Sequence, residues 1–183
     1  MTVRRVLPRA LLATGLAAAA TVMGSGTASA AGQEVIVFDK GDGPTSGALI
    51  FKVDGVPKDF WRAGSGNGSS WNNDCASNRG HLPNGRYSTV FHSNYAGSLI
   101  HGRAVRLSDK VCSAGTVTRT ALFIHSEQTV DNTQGTTEGT RWDGDGDYKS
   151  EGCVKLHPND IAELFWNAYA YGGADGAVLD VVS

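Results

Sequence analysis

The sequence predicts a mostly β fold, a β-rich α+β class with one packed helix, formed by residues 31–183 as a single domain. Six short runs rich in Val, Ile, Phe and Tyr are separated by clusters of Gly, Pro, Asn and Asp, which is the pattern of strands joined by turns. One amphipathic segment near the end predicts a helix, and its apolar face needs a sheet to cover.

The predicted strands follow one another at short intervals along the chain. They cover residues 34–38, 48–53, 86–91, 99–105, 121–125 and 177–182. The pair Val56-Pro57 and the run Leu82-Pro83-Asn84-Gly85 predict turns between them. The Gly- and Ser-rich residues 64–70 predict a flexible surface loop.

The helix is predicted from Pro158 to about Tyr171. Pro158 suits the first helical position, Asp160 places negative charge at the positive end of the helix dipole, and Gly172 follows the last turn. The residues that share the apolar face at helical spacing are Ile161, Leu164, Phe165, Ala168 and Tyr169.

Residues 1–30 are predicted to be an export signal peptide. Arg4 and Arg5 give a basic start, residues 10–22 form an apolar stretch that is short for a membrane span, and Ala28-Ser29-Ala30 resembles a cleavage site. We therefore expect a secreted, extracytoplasmic protein with no membrane anchor after cleavage. The formal net charge of −2 argues against nucleic acid as a partner, since phosphate binding needs clustered Lys and Arg.

Three cysteines are present, and an oxidising compartment favours one disulfide and one free thiol. Cys75 and Cys112 lie in Gly-, Ser- and Asn-rich sequence, so their pairing is preferred and leaves Cys153 free. The two other pairings remain open at the level of sequence.

A free Cys153 is informative because it follows Gly152 and has a histidine upstream, His125, at the end of an apolar run. An imidazole can take the thiol proton and create a nucleophilic thiolate. Gly152 would let a scissile carbonyl approach the backbone, where the N–H groups of Gly152 and Cys153 could form an oxyanion hole. Ser126 could supply an oxygen that fixes the tautomer of His125.

Two segments together resemble the catalytic signature of the L,D-transpeptidase (YkuD-type) family. Ile124-His125-Ser126 resembles the family's histidine segment, and Ser150-Glu151-Gly152-Cys153-Val154-Lys155-Leu156 resembles its Ser/Thr-His-Gly-Cys segment with the aliphatic and Arg or Asn residues that follow. Residues 82–87 and 158–165 are similar to the family's flanking turn and helix. The resemblance spans roughly residues 82–165.

This resemblance implies a YkuD-like sandwich- or barrel-type sheet and a set of roles. Cys153 would be the nucleophile, His125 its base and Ser126 the residue that orients His125, while the amides of Gly152 and Cys153 would stabilise the tetrahedral intermediate. The substrate would be a peptidoglycan peptide stem, attacked at the carbonyl before its terminal D-alanine. An amine from a neighbouring stem would then resolve the thioester, and no cofactor or metal is implied.

Ser150, Glu151 and Lys155 flank the cysteine and are expected to contact the substrate. Glu151 stands where the family has histidine, and Lys155 where it has Arg or Asn. The long spacing between the two segments fits an insertion over residues 130–149. Ile100-His101-Gly102 also resembles the histidine segment but lies much farther upstream, so His125 is preferred.

Other functions are open at this stage. Water could resolve the thioester, which would make the protein a carboxypeptidase or amidase, or the chain could be a non-catalytic wall-binding or inhibitor module, which the substitutions at Glu151 and Lys155 favour. A calcium site at residues 143–147 is a further alternative, but Tyr148 and Val154 occupy the glycine and glutamate positions of an EF-hand loop. A solvated acidic loop and no metal are therefore expected.

Overall fold

The computed structural model describes residues 33–172, 174 and 176–182, so the predicted export signal lies outside the described residues. The strands are β1 (Glu34–Asp39), β2 (Gly47–Val53), β3 (Val56–Ser65), β4 (Gly85–Ala96), β5 (His101–Leu107), β6 (Lys110–Val111), β7 (Thr118–Arg119), β8 (Phe123–His125), β9 (Val154–Leu156) and β10 (Val178–Val182). The helix α1 covers Pro158–Tyr171, and two short 3₁₀ helices cover Gly68–Ser70 and Asp145–Tyr148.

Eight of the described strands close a barrel in the order β1-β10-β4-β5-β8-β9-β3-β2, and β6 and β7 form a separate hairpin. Two neighbouring pairs are parallel, β1 with β10 and β8 with β9, whereas the other pairs are antiparallel. The predicted mostly β class with one packed helix is therefore confirmed.

The core fills the barrel and continues beneath α1. Side chains alternate between the two faces of each strand, so every second residue of β1 and β2 is buried. The helix contributes Ile161, Leu164, Phe165 and Ala168 to the same core. Pro158 is the first helical residue, and His157 caps the helix by accepting a hydrogen bond from the Asn159 N–H through Nδ1 (3.2 Å).

The structure corrects the prediction of a turn at Val56-Pro57. Val56 begins β3, and the turn lies one step earlier, where Asp54 and Gly55 both have positive φ angles (51° and 77°). The first half of β3 is exposed, and Pro57, Lys58 and Asp59 interrupt its apolar residues, so it contains no continuous apolar run. Its second half is buried, and the predicted flexible loop at residues 64–70 therefore begins inside a strand.

Within the described residues, no helix has the length and apolar character needed to cross a membrane.

Candidate active site

The parallel pairing of β8 with β9 brings the two predicted catalytic segments together. Ile124 lies opposite Val154, and His125 lies opposite Lys155. Ile124 and Val154 are completely buried in the core. Because side chains alternate along a strand, the flanking positions face the other way. These flanking residues line one pocket: Phe123, His125, Cys153 and Lys155.

The pocket has a volume of about 680 Å³ and is lined by residues of β8, of β9 and of the turn that precedes β9. Tyr95, Leu99 and Ile100, at or between the ends of β4 and β5, give it an apolar side. Ser150 and Glu151, which precede Cys153 in the chain, also line the pocket. The pocket therefore gathers most of the predicted site residues beside an apolar wall.

Cys153 carries a free, half-buried thiol in the turn that leads into β9. Its S–H donates a long hydrogen bond to the carbonyl oxygen of Ala121 (3.8 Å). Burial raises the pKa of the thiol to about 11, although a backbone hydrogen bond from Phe123 and the positive charges of Arg119 and Lys155 act in the opposite direction. The resting cysteine is therefore a neutral thiol that needs a base before it can attack.

His125 is buried at the end of β8 and is only 7% exposed. Its Nδ1 donates to the carbonyl oxygen of Ser126 (3.0 Å), which leaves Nε2 as the unprotonated nitrogen. Burial, together with a smaller contribution from the charge of Lys155, lowers the pKa of His125 to about 4. The imidazole is thus neutral at pH 7 and able to accept a proton.

The expected orientation of His125 by Ser126 comes from the backbone oxygen of Ser126. The Ser126 hydroxyl is buried and has no hydrogen-bond partner among the described residues. Between residues 33 and 172, no hydrogen bond joins the Cys153 thiol to His125, and the thiol points instead to Ala121. A proton transfer between the two requires the thiol and the imidazole to approach each other more closely than in this conformation.

Ser150 holds the turn before Cys153 together. Its hydroxyl donates to the carbonyl oxygen of Cys153 (2.5 Å) and accepts from the N–H groups of Gly66 and Gly152 (both 3.1 Å). These contacts occupy the hydroxyl that was expected to contact substrate. They also engage the Gly152 N–H, so this amide is not a free oxyanion donor in the observed conformation.

Gly152 is required by its conformation and by its surroundings. Its φ angle is +120°, a region that residues with a side chain rarely adopt. A Cβ atom at this position would lie 1.9 Å from Nη2 of Arg119. The absence of a side chain therefore makes room for a buried guanidinium, which sequence reasoning did not associate with the site.

Lys155 forms an ion pair with Glu127, a second residue that sequence reasoning missed. Both line the pocket, and Glu127 comes two positions after His125. Glu151 also lines the pocket and is exposed. Its side chain forms no hydrogen bond or ion pair with the residues that the structure describes. Lys155 thus has an internal partner, whereas Glu151 is open to solvent and to a ligand.

Cys75 and Cys112 form a disulfide, which confirms the preferred pairing. The bridge joins the segment after the first 3₁₀ helix to the β6–β7 hairpin. Next to it, the carboxylate of Asp74 accepts hydrogen bonds from the N–H and the hydroxyl of Ser113 (both 2.8 Å). The disulfide and these hydrogen bonds therefore join the two segments into one disulfide-closed frame, formed by residues 74–75 and 112–113.

The acidic loop at residues 143–147 makes protein contacts of its own. Asp147 accepts hydrogen bonds from the N–H groups of Asp143 and Gly144 and so caps the second 3₁₀ helix, and Asp145 pairs with Arg62 (2.9 Å). Carboxylates of Glu127, Glu138 and Asp147 lie within 4.8 Å of one another. The first two of these already form ion pairs with Lys155 and Arg141.

Comparison with known proteins finds similarity at the level of three-dimensional structure. No family model and no curated protein sequence matches the chain. The chain is similar to an L,D-transpeptidase from Xylanimonas cellulosilytica (17% identity, TM-score 0.45, covering 84% of this chain and 62% of that one). It is also similar to an L,D-transpeptidase from Mycobacterium smegmatis (18%, 0.42, 83% and 59%) and to L,D-transpeptidase 1 from Mycobacterium tuberculosis (14%, 0.38, 82% and 63%). The match spans about 60% of the length of these solved chains.

Proposed function

We propose that the protein is a secreted cysteine acyltransferase of the L,D-transpeptidase type, which acts on peptidoglycan peptide stems. The observation that carries this proposal is the parallel pairing of β8 with β9, which places a free thiol and a neutral imidazole in one pocket. The Cys75–Cys112 disulfide is compatible with an oxidising, extracytoplasmic location.

In the proposed reaction, Nε2 of His125 takes the proton of the Cys153 thiol as the sulfur attacks the carbonyl carbon before the terminal D-alanine. The C–S bond forms and the carbonyl oxygen becomes an oxyanion, for which the Cys153 N–H is the proposed donor because the Ser150 hydroxyl binds the Gly152 N–H. Collapse of this intermediate breaks the C–N bond, and His125 returns the proton to the departing amine of D-alanine. The product is a thioester on Cys153.

An amine of a neighbouring stem completes the transfer. It attacks the thioester carbonyl and loses a proton to His125, the C–S bond breaks, and the Cys153 thiolate recovers the proton from the imidazole. The cross-link is then an amide. Water in place of the amine would give a carboxylic acid and a carboxypeptidase reaction.

A non-catalytic wall-binding module is the second candidate. It is favoured by the absence of a thiol–imidazole hydrogen bond among the described residues and by the raised pKa of Cys153. Glu151 adds a negative charge beside the sulfur, which further opposes thiolate formation. Such a module would keep the fold and the pocket without an activated nucleophile.

The deciding experiment is intact-mass measurement after incubation with a carbapenem, whose strained acyl group probes an activated thiol. We expect one covalent adduct, lost in Cys153→Ala and much slower in His125→Ala. His101→Ala is the matched control because its motif resembles that of His125, and it should react at the wild-type rate. A free thiol that forms no adduct would contradict the acyltransferase proposal and favour the binding module.

The acceptor is tested with a purified tetrapeptide stem as the only substrate. Mass spectrometry separates a cross-linked dimer from a shortened tripeptide. Formation of the dimer supports transpeptidation, whereas tripeptide alone assigns the hydrolytic reaction.

A further inference from the structure

Arg119, at the end of β7, is a buried arginine. It is 4% exposed, and no ion pair joins it to a carboxylate among the residues that the structure describes. Burying a charge without an ionic partner is costly, so the side chain needs strong compensating hydrogen bonds. Backbone carbonyl oxygens provide them.

The guanidinium joins three separate backbone segments. Nη1 donates to the carbonyl oxygen of Asp74 (2.7 Å), both terminal nitrogens lie near that of Gly80 (3.4 and 3.5 Å), and Nη2 donates to that of Glu151 (3.0 Å). Arginine can do this because its planar fork carries five donors in fixed directions.

One of these hydrogen bonds and one steric contact fix the turn that carries the cysteine. The Glu151 carbonyl lies two residues before Cys153, and Nη2 occupies the space where a side chain of residue 152 would stand. The positive φ of Gly152 and the position of the guanidinium are therefore mutually dependent. If Arg119 moves, the backbone directly before the thiol loses its support.

The hydrogen bond to the carbonyl oxygen of Asp74 leads to the disulfide. Asp74 precedes Cys75, and its carboxylate also holds Ser113, which follows Cys112. Arg119 thus connects the disulfide-closed frame to the turn of Cys153. Its positive charge also lowers the pKa of the Cys153 thiol, against the larger effect of burial.

We propose that Arg119 is a positioning residue for Cys153, which holds the turn at Glu151 and Gly152 against the frame closed by Cys75 and Cys112. This inference rests on the proposed function, since it assigns Arg119 to the presentation of the nucleophile. Arg119 lines the same pocket, and the proposed role acts through the backbone and through its charge.

The test compares Arg119→Lys with Arg119→Gln, and Arg86→Gln is the control because Arg86 is an ion-paired arginine on the surface. Two rates are measured on Cys153: acylation by a carbapenem, and alkylation by iodoacetamide between pH 8 and 10. Melting temperatures are recorded for each variant.

Alkylation reports the charge near the sulfur, so we expect it to be about tenfold slower in Arg119→Gln at a given pH and nearly unchanged in Arg119→Lys. Acylation also depends on geometry, so we expect it to be about tenfold slower or more in both variants. A lysine keeps the charge but cannot hold three carbonyl groups in one plane. Folded variants that acylate at the wild-type rate would overturn the proposal.

Two further outcomes are decisive. If an Arg119 variant does not fold, Asp74→Asn is measured in its place, because this substitution weakens the frame and keeps the guanidinium. Slower acylation of Asp74→Asn at an unchanged melting temperature supports the proposal. Acylation of Asp74→Asn at the wild-type rate overturns the proposal. If the wild-type protein itself forms no carbapenem adduct, the proposed function fails, and alkylation alone decides the role of Arg119. Equal alkylation of the wild type and Arg119→Gln then refutes it.

Discussion

Lys155 and Glu127 form an ion pair in the wall of the pocket, and their side chains are only 13% and 7% exposed. Lys155 lies opposite His125 in the β8–β9 register, and its charge contributes to the low pKa of the imidazole. The second carboxylate oxygen of Glu127 has no hydrogen-bond partner among the described residues. Glu127 therefore holds the Lys155 ammonium beside His125, where little solvent screens its charge from the imidazole.

Glu127→Gln should destabilise the protein, because it leaves the Lys155 ammonium buried without a counter-charge. Removing one partner of a buried pair costs about 3 kcal/mol of unfolding free energy, which urea denaturation measures. The double variant Glu127→Gln/Lys155→Met should recover most of this loss. Arg86→Gln, which breaks the exposed pair with Asp180, should have a much smaller effect, and equal losses in the two single variants would contradict the assignment.

Gly152→Ala should be both unstable and inactive. The added Cβ would collide with the guanidinium of Arg119 and would require a residue with a side chain at a φ angle of +120°. Strain of this kind costs about 1–3 kcal/mol before the displacement of Arg119 is counted. Thermal unfolding and carbapenem acylation are the measurements.

Gly146→Ala is the control for this substitution, since a Cβ there meets no atom within 4 Å and the glycine has no positive φ angle. It should keep the wild-type melting temperature and acylation rate. A Gly152→Ala protein that matched this control would show that the turn tolerates a side chain and that the guanidinium moves freely.

The sequence allowed prediction of the parts of the site that depend on local pattern. His125 ends an apolar run and Cys153 precedes another, so two adjacent strands suffice to bring them together. Arg119 and Glu127 could not be found in this way, because their partners are distant in sequence: Arg119 binds carbonyls of residues 74, 80 and 151. Such contacts depend on the closed barrel and leave no periodic pattern in the chain.

Local composition and short length explain the errors in the predicted fold. β3 was missed because Pro57, Lys58 and Asp59 interrupt the apolar residues of its exposed half, and β9 has only three residues. Trp61, in sequence that looks polar, is buried on β3, where its indole N–H donates to Glu163 of α1 (2.9 Å). Trp166 lies among apolar residues of the helix, yet its side chain is 70% exposed. The composition of the sequence around an aromatic residue therefore does not determine whether that residue is buried.

The reaction of Cys153 with a carbapenem should have a flat pH profile between pH 5 and 9. With a thiol pKa of about 11 and an imidazole pKa of about 4, both groups stay neutral over this range, and His125 removes the proton during attack. The acylation rate should fall only below about pH 4, as the imidazole becomes protonated.

Iodoacetamide gives the contrasting profile because it reacts with thiolate that is already present. Its rate should rise about tenfold for each pH unit below the thiol pKa. In His125→Gln the carbapenem rate should acquire this same slope. A wild-type acylation rate that already rises tenfold per unit would mean that His125 does not act as the base.

Glu34 provides a prediction about pH-dependent stability far from the pocket. It lies in β1, is 4% exposed, and neither carboxylate oxygen has a hydrogen-bond partner among the described residues. Burial raises its pKa from 4.5 to about 7, so the folded protein binds this proton more tightly than the unfolded chain does. The stabilising contribution of the protonated carboxyl is complete below pH 4.5 and is lost as the pH rises to about 7.

Glu34→Gln removes this titration and keeps the shape of the side chain. We expect the variant to be more stable than the wild type by about 1–3 kcal/mol at pH 8 and similar to it at pH 4, as measured by urea denaturation at both values. Glu138→Gln is the control, because its side chain is 79% exposed and should leave the pH dependence unchanged. If the wild type and Glu34→Gln lose stability in parallel between pH 4 and 8, another group is responsible and Glu34 has access to water in the folded state.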